Sequence, residues 1–576
     1  MAAVLASVDF IPLSNAFGVF SRSGKHRQAE KSYCITLADG AFLMPEAADR
    51  QTASKCYHRP VNRREFIGSA VLAGTSIAAA NEPQSPLPNI LHIMTDQQQW
   101  ATIAGRSLCH TPNINSLANG GMCFERSYTP SAVCCPARAM ILSGAYHWHN
   151  GVFNQIHSSP SVHRDMYPQV VLYSQRLRDQ GYQLGYTGKW HASWDRCAAD
   201  FGYEMAGVFG CNPAVLKKHD LNPDRVTLPK EKLTRHPRRM VQWPGSEPFP
   251  LYGYVDGPEE ATEEWRTAEL ASAMMRRFAR NNSPWLLEAH FLTPHDPYMP
   301  LKTYFDRYDP KSIPVSPTFH DTFEGKPGLH RREASTWGNV TEEDYRGSRA
   351  AYYAYVEQVD AQIGRLLKIL DETGQANNTI VVFTTDHGDM VGNHRMWIKG
   401  WIPYEECYRV PLVIRWPGHI APGEKSSRLV QTHDLGHTYV DIAGAKPLTY
   451  ADGRSLCPLF TDPDSASWTD QILCAYYGGE FLYTQRIAIT DRFKYVFNGF
   501  DIDEMYDLER DPREMRNVVE DRSYAGYTDD MRARLYEMMA CFEDPYGYPE
   551  RWTLPGNPPD RYSAARYLPR GKRLNG

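Results

Sequence analysis

The sequence predicts an α/β fold: a doubly wound, mostly parallel sheet with helices on both faces, plus a small C-terminal α+β subdomain with an antiparallel sheet. Three observations predict it. Short apolar runs recur between residues 89 and 416, as strands buried on both faces require. Helical periodicity falls between those runs, the alternation of a doubly wound sheet. Near residue 450 the pattern changes to strands joined by short turns.

Composition fits an ordinary globular protein, 42% hydrophobic and 22% charged. A net charge of -5 argues against non-specific nucleic-acid binding. Residues 1–85 read as a leader, removed or without fixed structure. Asn62-Arg63-Arg64-Glu65-Phe66 resembles a twin-arginine export signal, and a mildly apolar stretch, Val71–Ala80, follows. That stretch is too short to span a bilayer stably, so the expectation is export to the periplasm or outside the cell, not a membrane anchor. A start at Met44 would leave a more usual basic leader. The twelve cysteines form no C-x-x-C pair, which argues against a zinc site.

The catalytic domain is expected over 86–449. It opens on Asn89–Thr95, a buried strand. Further strands are expected at Gln183–Thr187, Trp285–Phe291, Thr379–Thr385 and Pro411–Trp416. The clearest helix covers about 345–372, where Tyr352, Val356, Val359, Ile363, Leu366 and Leu370 alternate gaps of four and three. Residues 210–260 and 300–340, rich in Pro, charge and aromatics, read as long loops that shape the substrate pocket. From 450 to 576 a C-terminal subdomain is expected, with strands at Ile487–Phe497 and Glu504–Asp507 and a helix near 527–541.

Asp96-Gln97 follows the first strand directly, and Asp386-His387 follows a later one just as directly. Polar side chains at neighbouring strand ends share one crevice, and a divalent cation needs ligands gathered that way. A lone strand-end Asp is as often a helix cap. Two such dipeptides, with Cys134-x-Pro136-x-Arg138 between them in sequence, favour a metal site.

These motifs resemble type I sulfatases of the alkaline phosphatase superfamily, in family order over residues 88–510. They are Asn89–Gln97, Thr111–Ala118, the Cys134 frame, Thr187–His191, Thr293–Pro297, Asp386–Asp389, Lys399 with Tyr404–Leu412, and Tyr506–Pro512. The resemblance implies that a maturase oxidises Cys134 to formylglycine, whose hydrate is the nucleophile and touches the metal. Arg138 would hold that hydrate. Lys189 and Lys399 would bind the sulfate oxygens, His191 would position or deprotonate the nucleophile, and His295 would protonate the leaving alcohol. Lys189 and His191 are expected on one face of an extended segment. A plain Cys lacks the second hydroxyl by which sulfate can leave, so the modification has a chemical reason. Twin-arginine export moves folded protein, which is compatible with conversion before transport.

Metal ligands implied by the resemblance are Asp96, Gln97, the converted Cys134, Asp386 and His387. Most of the family carries Asp-Asp and Asp-Asn at the two dipeptides. Gln97 and His387 instead resemble the choline sulfatase and phosphonate monoester hydrolase branch, and they soften the site. Calcium is the first expectation, with manganese or magnesium as alternatives. Cys135 is not the modified residue, because neither Pro nor Arg stands in register from it. His147 and His149 line the pocket or pack; His433 and His437 read as structural.

The expected activity is hydrolysis of a sulfate monoester on a sulfated carbohydrate. A phosphonate monoester or phosphodiester hydrolase on the same fold is the alternative that Gln97 and His387 motivate. A non-catalytic binder of sulfated glycans is the reading if Cys134 is never converted.

Overall fold

The computed structural model describes residues 87–157, 161–219, 232–243, 246–399, 402–478, 483–499 and 501–545. The expected leader, including Arg63 and Arg64, lies outside them. Fourteen strands run through the described residues. They are β1 (Asn89–Thr95), β2 (Met122–Tyr128), β3 (Gln183–Lys189), β4 (Glu204–Phe209), β5 (Thr234–Val241), β6 (Phe249–Asp256) and β7 (Trp285–His290). Then come β8 (Thr379–Thr385), β9 (Leu412–Arg415), β10 (Glu424–Gln431), β11 (Gln471–Tyr476), β12 (Gln485–Thr490), β13 (Phe493–Phe497) and β14 (Glu504–Asp507).

Eight strands form one sheet in the order β10-β2-β9-β8-β1-β7-β3-β4. Only β9 runs against its neighbours, β8 and β2. Every residue of β1, β7 and β8 is buried, because helices cover both faces of the sheet. That explains why these strands read as unbroken apolar runs rather than alternating ones. β1 and β8 are parallel neighbours with Thr95 opposite Thr385. The two dipeptides that follow therefore leave the sheet side by side.

The predicted long helix is Glu342–Glu372. It starts where Thr341 accepts a hydrogen bond from Asp344 N at 3.2 Å, while Asp344 accepts one from Thr341 N at 2.9 Å. This reciprocal cap satisfies two otherwise orphaned donors. Its apolar stripe, Val359, Ile363, Leu366 and Leu370, packs with Leu91, Ile93, Val381 and Phe383 of the sheet.

The C-terminal strands form a separate antiparallel sheet, β11-β12-β13-β14, which the helix Ala525–Cys541 covers. Their common core contains Leu473, Tyr495, Met505, Met531 and Leu535, and also Met140 and Tyr146 from the segment carrying the Cys134 frame. The smaller sheet thus braces the helix that presents Cys134.

The loop expectation for 210–260 needs correction. β5 and β6 pair as an antiparallel hairpin, and β6 bridges to Tyr298 and Leu301. Only β6 shows buried alternation, at Leu251, Gly253 and Val255. β5 is an exposed edge strand carrying Pro237, so it lacks the pattern that betrays a half-buried strand. Within 300–340, short helices such as Gly328–Thr336 replace the expected open loop. No described helix is long and apolar enough to cross a membrane.

Candidate active site

Cys134 is the first residue of the helix Cys134–Ser143, with Val133 extended before it. The helix N-terminus adds partial positive charge around the side chain. All ten helix residues are buried. Cys134 Sγ, a carboxylate oxygen each from Asp96 and Asp386, and a ring nitrogen of His387 all lie within 4.8 Å of one another. His387 Nε2 is 3.2 Å from Cys134 Sγ, 3.8 Å from Asp96 Oδ1 and 3.7 Å from Asp386 Oδ1. The two carboxylate spacings exceed hydrogen-bond length and suit donors arranged around one ion. The Nδ1–H of His387 donates to Gly388 O at 2.8 Å, which turns Nε2 toward the group. Two carboxylates, an imidazole and the Cys134 position fit a divalent cation.

Gln97 takes a different place. Its Nε2 donates to Asp389 at 2.6 Å and Asp296 at 3.1 Å, and its Oε1 accepts from Lys399 Nζ at 2.5 Å. Its side chain bridges that lysine to two acids at the rim. Burial raises the Asp389 carboxyl to about 6.

Arg138 lies one helical turn after Cys134 and is fully buried. Its Nε donates to Asp386 at 2.7 Å, Nη2 to Asp96 at 3.1 Å and Nη1 to Lys189 O at 2.9 Å. Lys189 Nζ reaches Asp96 at 2.5 Å. Burial opposes ionisation of Asp96, yet Lys189, His295 and Arg138 together hold it below the usual carboxylate range. Burial and the charge of Asp96 push Asp386 upward. For the Cys134 thiol burial is again opposed and outweighed, here by Lys189, Lys399 and His387, and it falls well below its ordinary value.

Lys189 ends β3, but the segment after it is not extended. His191 adopts a left-handed φ of 51°, and this turn, rather than strand alternation, brings its ring to Cys134. His191 Nε2 lies 2.9 Å from His157 Nδ1, with the rings stacked at 4.9 Å. Burial, then Lys189, lowers His191 to about 3. Opposite stands His295, whose Nδ1–H donates to Asp296 O at 2.8 Å and whose Nε2 is 2.7 Å from Lys399 Nζ. All the residues expected to bind or turn over a sulfate ester thus surround one crevice at the strand ends.

Other histidines do not join it. His149 stacks on Tyr450 and pairs with Asp452 at 2.6 Å. His147 is buried among Tyr477 and Phe153. His433 and His437 bond to the backbone of Asp452 and Gly144. Cys135 Sγ lies within 4.8 Å of ring nitrogens of His157 and His191, behind the crevice; it donates to Gln155 at 2.8 Å, and burial raises its thiol. Sequence reasoning missed His157 and the partners of Gln97. Asp389 was visible in the Asp386–Asp389 motif, but nothing in the sequence marks His157.

The chain belongs to the sulfatase family: the family model "Sulfatase" matches residues 88–445, and "N-sulphoglucosamine sulphohydrolase, C-terminal" matches 392–540. It is a sulfuric ester hydrolase. The choline-sulfatase of Rhizobium meliloti is 30% identical over 487 residues, covering 79% of this chain and 88% of the relative. The N-acetylglucosamine-6-O-sulfatase of Bacteroides thetaiotaomicron is 26% identical, covering 82% of this chain and 90% of the relative. The fold is also that of the phosphonate monoester hydrolase from Silicibacter pomeroyi, at a TM-score of 0.64 and 24% identity over 79% of this chain and 94% of that one.

Proposed function

We propose that this protein hydrolyses the sulfate monoester of a sulfated carbohydrate, using a formylglycine made from Cys134 and a divalent cation, calcium first. The observation that carries this is the placement of Cys134 at a helix N-terminus among Asp96, Asp386 and His387. The N-acetylglucosamine-6-O-sulfatase relative supports the carbohydrate. Export by the twin-arginine route and an encounter with a maturase belong to the same proposal.

Asp96, Asp386, His387 and the converted Cys134 would hold the cation, and Gln97 would reach it by turning from Lys399. Bound there, it would supply positive charge to the sulfate oxygens and the nucleophile. Hydrated formylglycine would supply one hydroxyl to attack sulfur and a second by which sulfate can leave. Arg138 fixes both ligand carboxylates, so they do not reorganise as charge moves. Lys189 and Lys399 bind the sulfate from either side. His191, beside Cys134, positions or deprotonates the nucleophile. His295 gives a proton to the leaving oxygen, which lets the alcohol depart as a neutral group.

Hydrolysis of phosphonate monoesters is the second reading, favoured by Gln97 and His387. Two measurements test the set. Mass spectrometry of the peptide spanning Cys134, in protein from the native host, should show the aldehyde; an unmodified thiol there removes the proposed nucleophile. Turnover should rank a sulfated N-acetylglucosamine above choline sulfate and an aryl phosphonate monoester. The reverse order overturns the carbohydrate sulfate assignment.

A further inference from the structure

A second group of ligand-type side chains sits at the β4 edge of the large sheet, apart from the catalytic crevice. Cys197 is buried at the start of the short turn Ala198–Phe201. Asp200 lies in that turn, and its Oδ2 accepts from Cys197 N at 2.8 Å. His219 is the last residue of the helix Pro213–His219, across β4 from the turn. Cys197 Sγ, an Asp200 carboxylate oxygen and a His219 ring nitrogen all lie within 4.8 Å of one another.

The geometry fits a shared ion better than a hydrogen bond. His219 Nε2 is 3.4 Å from Asp200 Oδ1. Yet Nε2 is buried with no hydrogen-bond partner among the described residues, an arrangement that is costly if nothing else satisfies the atom. Two ligands with bonds of about 2 Å on a tetrahedral ion stand roughly 3.3 Å apart. A thiol, an imidazole and a carboxylate form a donor set for a borderline-soft metal, unlike the harder catalytic group. Cys211, buried and with a free thiol, precedes the helix.

We propose that Cys197, Asp200 and His219 bind a zinc-type cation through three protein donors. Loading releases the Cys197 thiol proton to solvent as the sulfur–metal bond forms. The ion would staple the helix Pro213–His219 to the segment that carries His191. That segment already touches the end of β4, just before the helix. Trp190 N donates to Phe209 O at 2.8 Å, and a side chain at Gly210 would meet His191 N at 3.1 Å. The absence of C-x-x-C spacing does not exclude such a site, because its donors are collected by a strand crossing rather than by a knuckle.

The test uses full-length protein carrying Cys134→Ala, so that the catalytic position offers no thiolate, with cobalt(II) as the probe. The expected result is a thiolate-to-cobalt absorption band saturating at one equivalent and displaced by zinc. Cys197→Ser and His219→Gln should each abolish it, and Cys474→Ser should leave it intact. His219 is partly exposed, so its variant folds even if the cysteine variant does not. No band, a band that survives both variants, or a Cys197–Cys211 disulfide in mass spectra of exported protein overturns the proposal.

Discussion

Arg138 reaches three partners at once from a position with no solvent contact. Removing it leaves Asp96 and Asp386 buried with much of their compensation gone. Arg138→Met is expected to cost about 3–5 kcal/mol of stability, as for other broken buried ion pairs; calorimetry of variant and parent measures it. Cys134→Ala should reduce turnover by about four orders of magnitude or more with little change in melting temperature, since the side chain gives the chemistry and not the packing. His157 would act through His191, because its Nδ1 lies 2.9 Å from His191 Nε2 and so orients that ring. His157→Ala is expected to lower kcat about 10- to 100-fold with KM nearly unchanged, as loss of an orienting partner does, and His157→Gln should restore part of the rate. An equal rise in KM would instead mean that His157 binds substrate. Cys134, Arg138, Lys189, His191, His295, Lys399 and the ligand dipeptides were legible because their spacing is a family pattern. His157 was not, since a pairing across 34 residues between a loop and a turn leaves no periodic trace.

Among the elements, the central strands of the large sheet were easiest to read, while β2, β4 and β10 at its flanks were not read. β1, β7, β8 and β9 are mostly apolar and nearly all buried, and burial on two faces makes such runs stand out. The helix Glu342–Glu372 was legible for the opposite reason, a one-sided stripe. Its start was placed three residues late because the Thr341 cap lies outside the stripe. Thr341→Ala should cost about 1 kcal/mol, seen as a lower denaturation midpoint at an unchanged slope. The β5–β6 hairpin escaped notice because an edge strand of Arg, His and Pro buries too little to impose a period. Strand alternation also misled at Lys189 and His191, where a left-handed residue does what extended geometry would otherwise do.

Across the whole molecule, the two sheets are joined by buried charge. Lys494 of β13 pairs with Glu405 at 3.0 Å and Glu514 at 2.5 Å, close to the segment that supplies Lys399. Glu504 of β14 pairs with His330 at 3.0 Å. Burial opposes its charge, but His330 holds it at about 2 against an ordinary 4.5. Because the folded value is the lower one, this stabilisation is complete above about pH 4.5 and disappears as pH falls through 2. The shift corresponds to about 3 kcal/mol. Acid unfolding should therefore steepen between pH 4.5 and 2, and Glu504→Gln should flatten that limb; a variant as acid-sensitive as the parent would contradict the pairing. Asp321, held at about 2 against 3.8 because His394 and Lys326 outweigh its burial, adds to the same window.

Cys134 has no solvent-accessible surface in the folded chain. Under the proposed conversion, a modifying enzyme would reach the residue before the chain that buries it, including Asp386 bound by Arg138, has folded around it. His387, whose Nε2 lies 3.2 Å from Cys134 Sγ, follows it by 253 residues. At roughly 5–20 residues per second of synthesis, β8 and its ligands emerge about 13–50 s after the cysteine does. The wide separation in sequence is thus also a delay in time, an interval on the ribosome when the residue can be reached and the pocket that will hide it does not yet exist.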